Sequence, residues 1–240
     1  MRFFVINLDE DRVRLEKVLA RGKELGVSME RFPAVCGVKI PNREKRSLVS
    51  TFKWHCIVGQ NPTDGEIGCA LSHLGVYAKM KDENIDVACI LEDDVILDDK
   101  FCGQIEYVEK FCSLHEDSLI LLSSKHRGGE EKQSIVLTPK ENGVGAYGYV
   151  LTKNVAIKLL RVNTPLICPS DFFQWLCYNS SVSVYKAFPT VCDYDRGYMS
   201  KTIVGRKSVA EMSFLKRIYY KICRLFGLLI AHAFIRLKVW

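Results

Sequence analysis

The sequence holds ten cysteines, yet none form a Cys-x-x-Cys pair and none stand at zinc spacing from a histidine. That excludes a zinc finger and a thioredoxin-type redox motif. No stretch approaches the roughly 20 apolar residues that span a bilayer. The longest apolar run, 225–235, is interrupted by Gly227 and His232. Nor does a signal-peptide pattern open the chain: Met1-Arg2-Phe3-Phe4 passes directly into Asn7-Leu8-Asp9. Without export the cysteines are expected to be reduced, mostly buried small hydrophobes, and the expected compartment is the cytoplasm. Internal repeats and low-complexity tracts are absent, and no acidic residue occurs from 213 to 240.

What is present is a globular composition: 240 residues, 48% apolar and 26% charged, enough to bury a sizeable core. There are 34 basic and 28 acidic residues, and six of the basic ones lie in 213–240. The body is therefore electrically balanced, and the tail carries the whole excess of +6. A balanced body argues against a nucleic-acid-binding protein, which shows a basic face.

Residues 3–7 form a compact apolar run that reads as a buried strand. Asp9 or Asp11 then caps a helix expected over 12–25, with Leu15, Val18, Leu19 and Leu25 on one face and Gly26 as the stop. A second strand is expected over 29–35. Residues 40–60 give no clear pattern. Thr63 followed by Glu66 fits a capping box, so a helix is expected over 66–81. Strands are expected at 86–91, 118–122, 145–151 and 182–188. Short helices should follow Thr152 and the Pro169-Ser170-Asp171 segment, the second running through Tyr178. Residues 125–133 and 192–212 read as polar loops. Strands alternating with helices make this an α/β protein.

Glu92-Asp93-Asp94 is the most informative feature. Three carboxylates follow the apolar run Val87-Ala88-Cys89-Ile90-Leu91, and Val95-Ile96-Leu97 resume the apolar character. Crowded like charges raise one another's pKa, and a cation among them relieves the crowding. Hard oxygen ligands suit Mg²⁺ or Mn²⁺, which also bind diphosphates. Open α/β sheets collect ligands at the carboxyl ends of their strands. The plainer alternative is a solvated turn after a strand.

At this point the sequence resembles glycosyltransferase family 25. The resemblance rests on Gly65-Glu66-Ile67-Gly68-Cys69-Ala70-Leu71-Ser72-His73 and Ile90-Leu91-Glu92-Asp93-Asp94-Val95, in that order. Val5-Ile6-Asn7-Leu8-Asp9 with Arg12 and Arg14, Arg31-Phe32-Pro33-Ala34-Val35, Gly145-Ala146-Tyr147-Gly148-Tyr149 and Pro169-Ser170-Asp171 support it. Cys36 stands before Gly37 where relatives often carry aspartate. The family includes lipooligosaccharide galactosyltransferases of Gram-negative bacteria and resembles collagen galactosyltransferases.

The resemblance, whose matches cover about residues 1–189, implies a GT-A fold with a mixed central sheet; the domain is expected over 1–212, and the charge and spacing of 213–240 mark a basic amphipathic tail. It implies inverting transfer of a hexose from a UDP-sugar, with a β-1,4-galactosyltransferase acting on lipooligosaccharide or lipopolysaccharide as the expected activity. Another hexose donor such as UDP-glucose, a noncatalytic sugar- or nucleotide-binding module, and a membrane-attached scaffold are the rivals. Glu92 and Asp94 are the expected ligands of Mn²⁺ or Mg²⁺, with Asp93 beside them at the donor. Asn7, Asp9 and Arg12 are candidate nucleotide contacts; helix capping and solvated charge are the alternative, and for Arg14 the preferred reading. Glu66, Gly68, Ser72 and His73 are candidate donor-site residues, against a capping box, helix packing and a hydrogen-bonded core histidine. Asp171 is the candidate general base, against an ordinary first-turn acid. Asp193 and Asp195 are placed to reach the acceptor in one reading; a solvated loop is the preferred one.

In the tail, Phe214, Leu215, Ile218, Tyr219, Ile222, Leu225, Phe226 and Leu229 recur at helical spacing with Lys216, Arg217, Lys221 and Arg224 between them. Two arrangements fit: a helix packed on the domain, or one lying in an anionic membrane interface, where a glycolipid acceptor would be met. The second implies a peripheral protein on the inner face of a bacterial inner membrane.

Overall fold

The computed structural model describes residues 1–123, 132–137, 146–178, 180–195, 197 and 212–237. The chain divides into two compact units. The first comprises Met1–Val35, Leu71–Val162 and Ser170–Met199. The second comprises Cys36–Ala70, Asn163–Pro169 and Ser200–Trp240.

The first unit is built on a seven-stranded sheet. Its strands are β1 (Arg2–Asn7), β2 (Glu30–Pro33), β3 (Val87–Glu92), β5 (Ser118–Leu121), β6 (Ser134–Leu137), β7 (Gly148–Thr152) and β8 (Ser183–Phe188). They lie in the order β2-β1-β3-β7-β5-β8-β6. β1 runs parallel to β2 and β3, whereas β7 is antiparallel to β3 and β5. β8 runs parallel to β5, and β6 antiparallel to β8. The expected mixed α/β sheet is present.

β3 is central because its side chains tolerate burial on both faces: Ala88, Cys89, Ile90 and Leu91 are fully buried. Truncating Ile90 to alanine here costs about 2–5 kcal/mol. The acidic triplet begins as β3 ends. A second, two-stranded ribbon follows, in which β4 (Val95–Leu97) pairs antiparallel with β9 (Cys192–Tyr194). β9 corrects the expected loop at 192–212. Its three residues carry no strand pattern of their own, and pairing with β4 imposes the conformation. Most of the rest of that segment, like 125–131 of the other expected loop and Gly145, lies outside the described residues.

Helices α1 (Arg12–Glu24), α5 (Phe101–Leu114), α6 (Lys153–Val162) and α7 (Phe173–Tyr178) complete this unit. α1 buries Val18, with Leu15, Leu19 and Leu25 half-buried. Asp11 is its N-cap residue without a side-chain capping bond. α5 was not evident from the sequence. α7 begins two residues beyond Asp171, which sits in the preceding turn.

The second unit holds α2 (Asn42–Leu48), α3 (Thr51–Val58), the first turns of α4 (Asp64–Asp82) and α8 (Phe214–Leu237). The capping box is formed: Thr63 N–H donates to Glu66 Oε2 at 2.8 Å, and Glu66 N–H to Thr63 Oγ1 at 3.1 Å. α8 packs on α3 through Tyr220, Cys223 and Gly227. No helix among the described residues is long and apolar enough to cross a membrane. All ten cysteines are free and seven are buried. Burial pushes the Cys112 thiol up to about 11 and Cys177 to about 12, which leaves these thiols protonated and unreactive.

Candidate active site at the end of the third strand

The parallel pair β1 and β3 ends at one place, and this brings residues 86 positions apart into contact. Asn7, on the last position of β1, is 1% exposed. Its Nδ2 donates to Asp93 Oδ2 at 2.7 Å and to the Asp11 carbonyl at 2.9 Å. Its Oδ1 accepts from Arg31 Nε at 3.1 Å. Arg31 also bonds Asp9, so Asp9 helps fix the loop after β1. Arg14 reaches Asp93 from α1, Nη1 to Oδ1, at 3.3 Å. Arg12 is exposed at the start of α1 and makes none of these bonds among the described residues.

His73 supports Glu92 from α4. The ring is 1% exposed, with Nε2 3.2 Å from Glu92 Oε1 and Nδ1 2.7 Å from the Tyr149 hydroxyl. The Tyr77 hydroxyl lies 2.7 Å from that of Tyr149. An ionised carboxylate can only accept, so Nε2 carries the proton. Nδ1 then accepts from Tyr149, whose oxygen accepts from Tyr77. The chain of donors thus points at Glu92. Tyr149 also packs against Phe173, with ring centroids 4.9 Å apart. This ties α7, and the turn carrying Asp171, to the same network.

Asp94 differs from its neighbours. Its Oδ1 is buried and takes no hydrogen bond among the described residues. Burial first, then the charges of Glu92 and Asp93, push its carboxyl up to about 7, against the pull of Arg14. Asp93 is also raised, because burial outweighs the bonds from Asn7 and Arg14. A buried carboxylate oxygen without a partner is costly. By donor chemistry, a hard divalent cation such as Mn²⁺ or Mg²⁺ would satisfy this oxygen and neutralise the charge of the carboxylates around it.

Beside the carboxylates is a cleft of about 180 Å³, lined by Arg14, Lys17, Arg21, Asp93, Asp94 and Asp195 among others. Asp195 is held there by its N–H, which donates to the Asp94 carbonyl at 2.8 Å. Sequence reasoning left Arg14 and Asp195 as solvated charges and did not single out Lys17 or Arg21. The spacing of Arg14, Lys17 and Arg21 on one helical face was the available signal.

Ser72 is buried, and its Oγ accepts from Val35 N–H at 2.8 Å. Glu66 and Gly68 belong to the second unit. There Glu66 closes the capping box. Gly68 N lies beside Gly37, where a Cβ would fall 1.8 Å from the Asp64 carbonyl oxygen. Asp193 Oδ1 accepts from Tyr194 N–H at 2.9 Å.

Together the fold and these residues define an α/β protein with a carboxylate site at the mouth of its central strand. Residues 1–137 match the model of glycosyltransferase family 25 (LPS biosynthesis protein). The chain is 30% identical over 184 residues to a glycosyltransferase 25 family member of Drosophila pseudoobscura pseudoobscura, covering 71% of this chain and 29% of that protein. It is 26% identical over 205 residues to a lipooligosaccharide biosynthesis protein of Haemophilus influenzae, covering 79% and 74%. Against procollagen galactosyltransferase 1-B of Xenopus laevis it is 26% identical over 234 residues, covering 83% and 37%. The chain therefore belongs to glycosyltransferase family 25. It spans 29% to 37% of the length of the two animal relatives. The matched segment contains every residue of the cluster from Asn7 to Asp94, whereas Asp171 and α8 lie beyond it.

Proposed function

We propose that this chain transfers galactose from UDP-galactose to a sugar hydroxyl of a lipooligosaccharide, with inversion and a β-1,4 linkage. The observation that carries the reading is the buried Asp94 Oδ1, without a hydrogen-bond partner among the described residues, beside Glu92 and Asp93 at a strand's carboxyl end. Family membership supports glycosyl transfer. The names of the Xenopus and Haemophilus relatives support galactose and lipooligosaccharide respectively.

Glu92 and Asp94 would hold Mn²⁺ or Mg²⁺, which when bound supplies Lewis-acid neutralisation of a diphosphate. Asn7 and Arg14 fix Asp93, and His73 fixes Glu92, so the carboxylates are oriented before substrate arrives. Asp171 takes the proton from the acceptor hydroxyl as that oxygen bonds the anomeric carbon. The bond from that carbon to the diphosphate oxygen breaks, and UDP leaves with the electron pair. We assign this work to the cytoplasmic face of the inner membrane, where a lipid-anchored acceptor would be met.

A donor screen tests the reading: UDP released from UDP-sugars in the presence of Mn²⁺, with and without lipooligosaccharide acceptors. Acceptor-dependent release from UDP-galactose is expected. Preference for UDP-glucose would replace the donor, and no release from any UDP-sugar would remove the reading.

A further inference from the structure

The second unit presents a surface that runs against the usual logic of a packed helix. α8 docks on α3 through a narrow stripe of positions spaced three and four apart: Tyr220, Cys223 and Gly227. The backbones meet closely there, since a Cβ on Gly227 would fall 2.7 Å from the Cys56 carbonyl oxygen. The bulky apolar residues face the other way. Phe214 is 72% exposed, Leu215 77% and Ile222 59%, with Ile218, Leu225 and Phe226 also exposed. At 100° per residue these six fall within an arc of roughly 120°. The patch continues onto α3 through Phe52, which is 54% exposed and packs edge-on against Phe226 at 6.0 Å.

Charge borders this patch on one side. Arg217, Lys221 and Arg224 occupy the adjoining arc of α8 and are exposed, and Lys53 is exposed on α3. Neither α3 nor α8 contains an acid. A second copy of the same face would bring cation against cation. An anionic lipid surface offers the matching chemistry: headgroup phosphates for the basic strip and an acyl boundary for the aromatic and aliphatic patch.

We propose that α3 and α8 together form a docking face that lies flat in the interface of an anionic membrane, with α8 still packed on α3. This surface is independent of the carboxylate site, and its test does not read activity.

The test is flotation of the full chain with vesicles of phosphatidylethanolamine and phosphatidylglycerol, against vesicles of phosphatidylcholine alone. Wild type should float with the anionic vesicles and lose binding in high salt. Ile222→Glu with Leu225→Glu should weaken binding about tenfold or more. Phe52→Glu should weaken it as well, which a free tail would not predict. Arg217→Gln, Lys221→Gln and Arg224→Gln combined should abolish the preference for anionic lipid. All these positions are exposed, and an unchanged circular dichroism melt verifies folding. Equal flotation by wild type and the double glutamate variant, or none by wild type, would overturn the proposal. So would a dimer in sedimentation that the double variant abolishes without any vesicle binding, which assigns the face to a second copy.

Discussion

The side-chain amide of Asn7 donates to Asp93 Oδ2 at 2.7 Å, joining the ends of two parallel strands. That bond sets the last residue of β1 against the acidic triplet at the end of β3. Asn7 is buried and uses both ends of its amide. Asn7→Ala leaves Arg31 and Asp93 without it, at a cost of about 1–3 kcal/mol. Thermal melts should show this loss, and titration with Mn²⁺ should show weaker binding than wild type.

Asp94 makes a signed prediction about pH. Its carboxyl is raised from 3.8 to about 7 in the folded chain. The folded state therefore holds this proton where the unfolded state has released it. Metal-free stability should fall as pH rises from about 4 to about 7, and the penalty is complete above that. Asp94→Asn removes the penalty: at pH 8 the metal-free variant should be more stable by on the order of 2 kcal/mol, raising the melting temperature by roughly 4–8 °C. Near pH 3 the two proteins should converge. Mn²⁺ should stabilise wild type at pH 8, much less at pH 5, and the variant at neither.

The hydroxyl chain from Tyr77 through Tyr149 to His73 orients Glu92 from behind. Tyr149→Phe removes the central link and leaves His73 Nδ1 without its donor. A loss of about 1–2 kcal/mol is expected. Turnover with saturating Mn²⁺ should fall less than turnover at limiting Mn²⁺, because the defect lies in holding Glu92.

Asp171→Asn tests the base. Its turnover should drop by about 100-fold or more, with KM for UDP-galactose little changed. Turnover near wild type would remove Asp171 from the mechanism.

The parts of this structure legible in the sequence are those with local causes. The apolar run Ala88–Leu91 is buried by its own composition, and the capping box at Thr63 and Glu66 needs only four residues. The illegible parts depend on distant partners. β9 is three residues long and exists because β4 pairs with it. α2 and α3 are seven and eight residues long and lack side-chain caps, so residues 40–60 gave no periodic signal. Within the site, the acidic triplet could be read because three adjacent carboxylates are chemically unusual. Arg14 could not, since an arginine in a helix's first turns is ordinarily solvated; its approach to Asp93 follows from how α1 packs on the sheet. Asp195 reaches the cleft because β9 pairs with β4 and its N–H bonds the Asp94 carbonyl.

The most direct measurement is UDP release from UDP-galactose with acceptor, comparing wild type with Asp94→Asn, each with Mn²⁺ and with EDTA. Release should be abolished in wild type by EDTA and restored by Mn²⁺, and Asp94→Asn should stay at least about 100-fold below wild type with Mn²⁺, whether Mn²⁺ or EDTA is present. Undiminished release by Asp94→Asn, or by wild type in EDTA, would contradict the account.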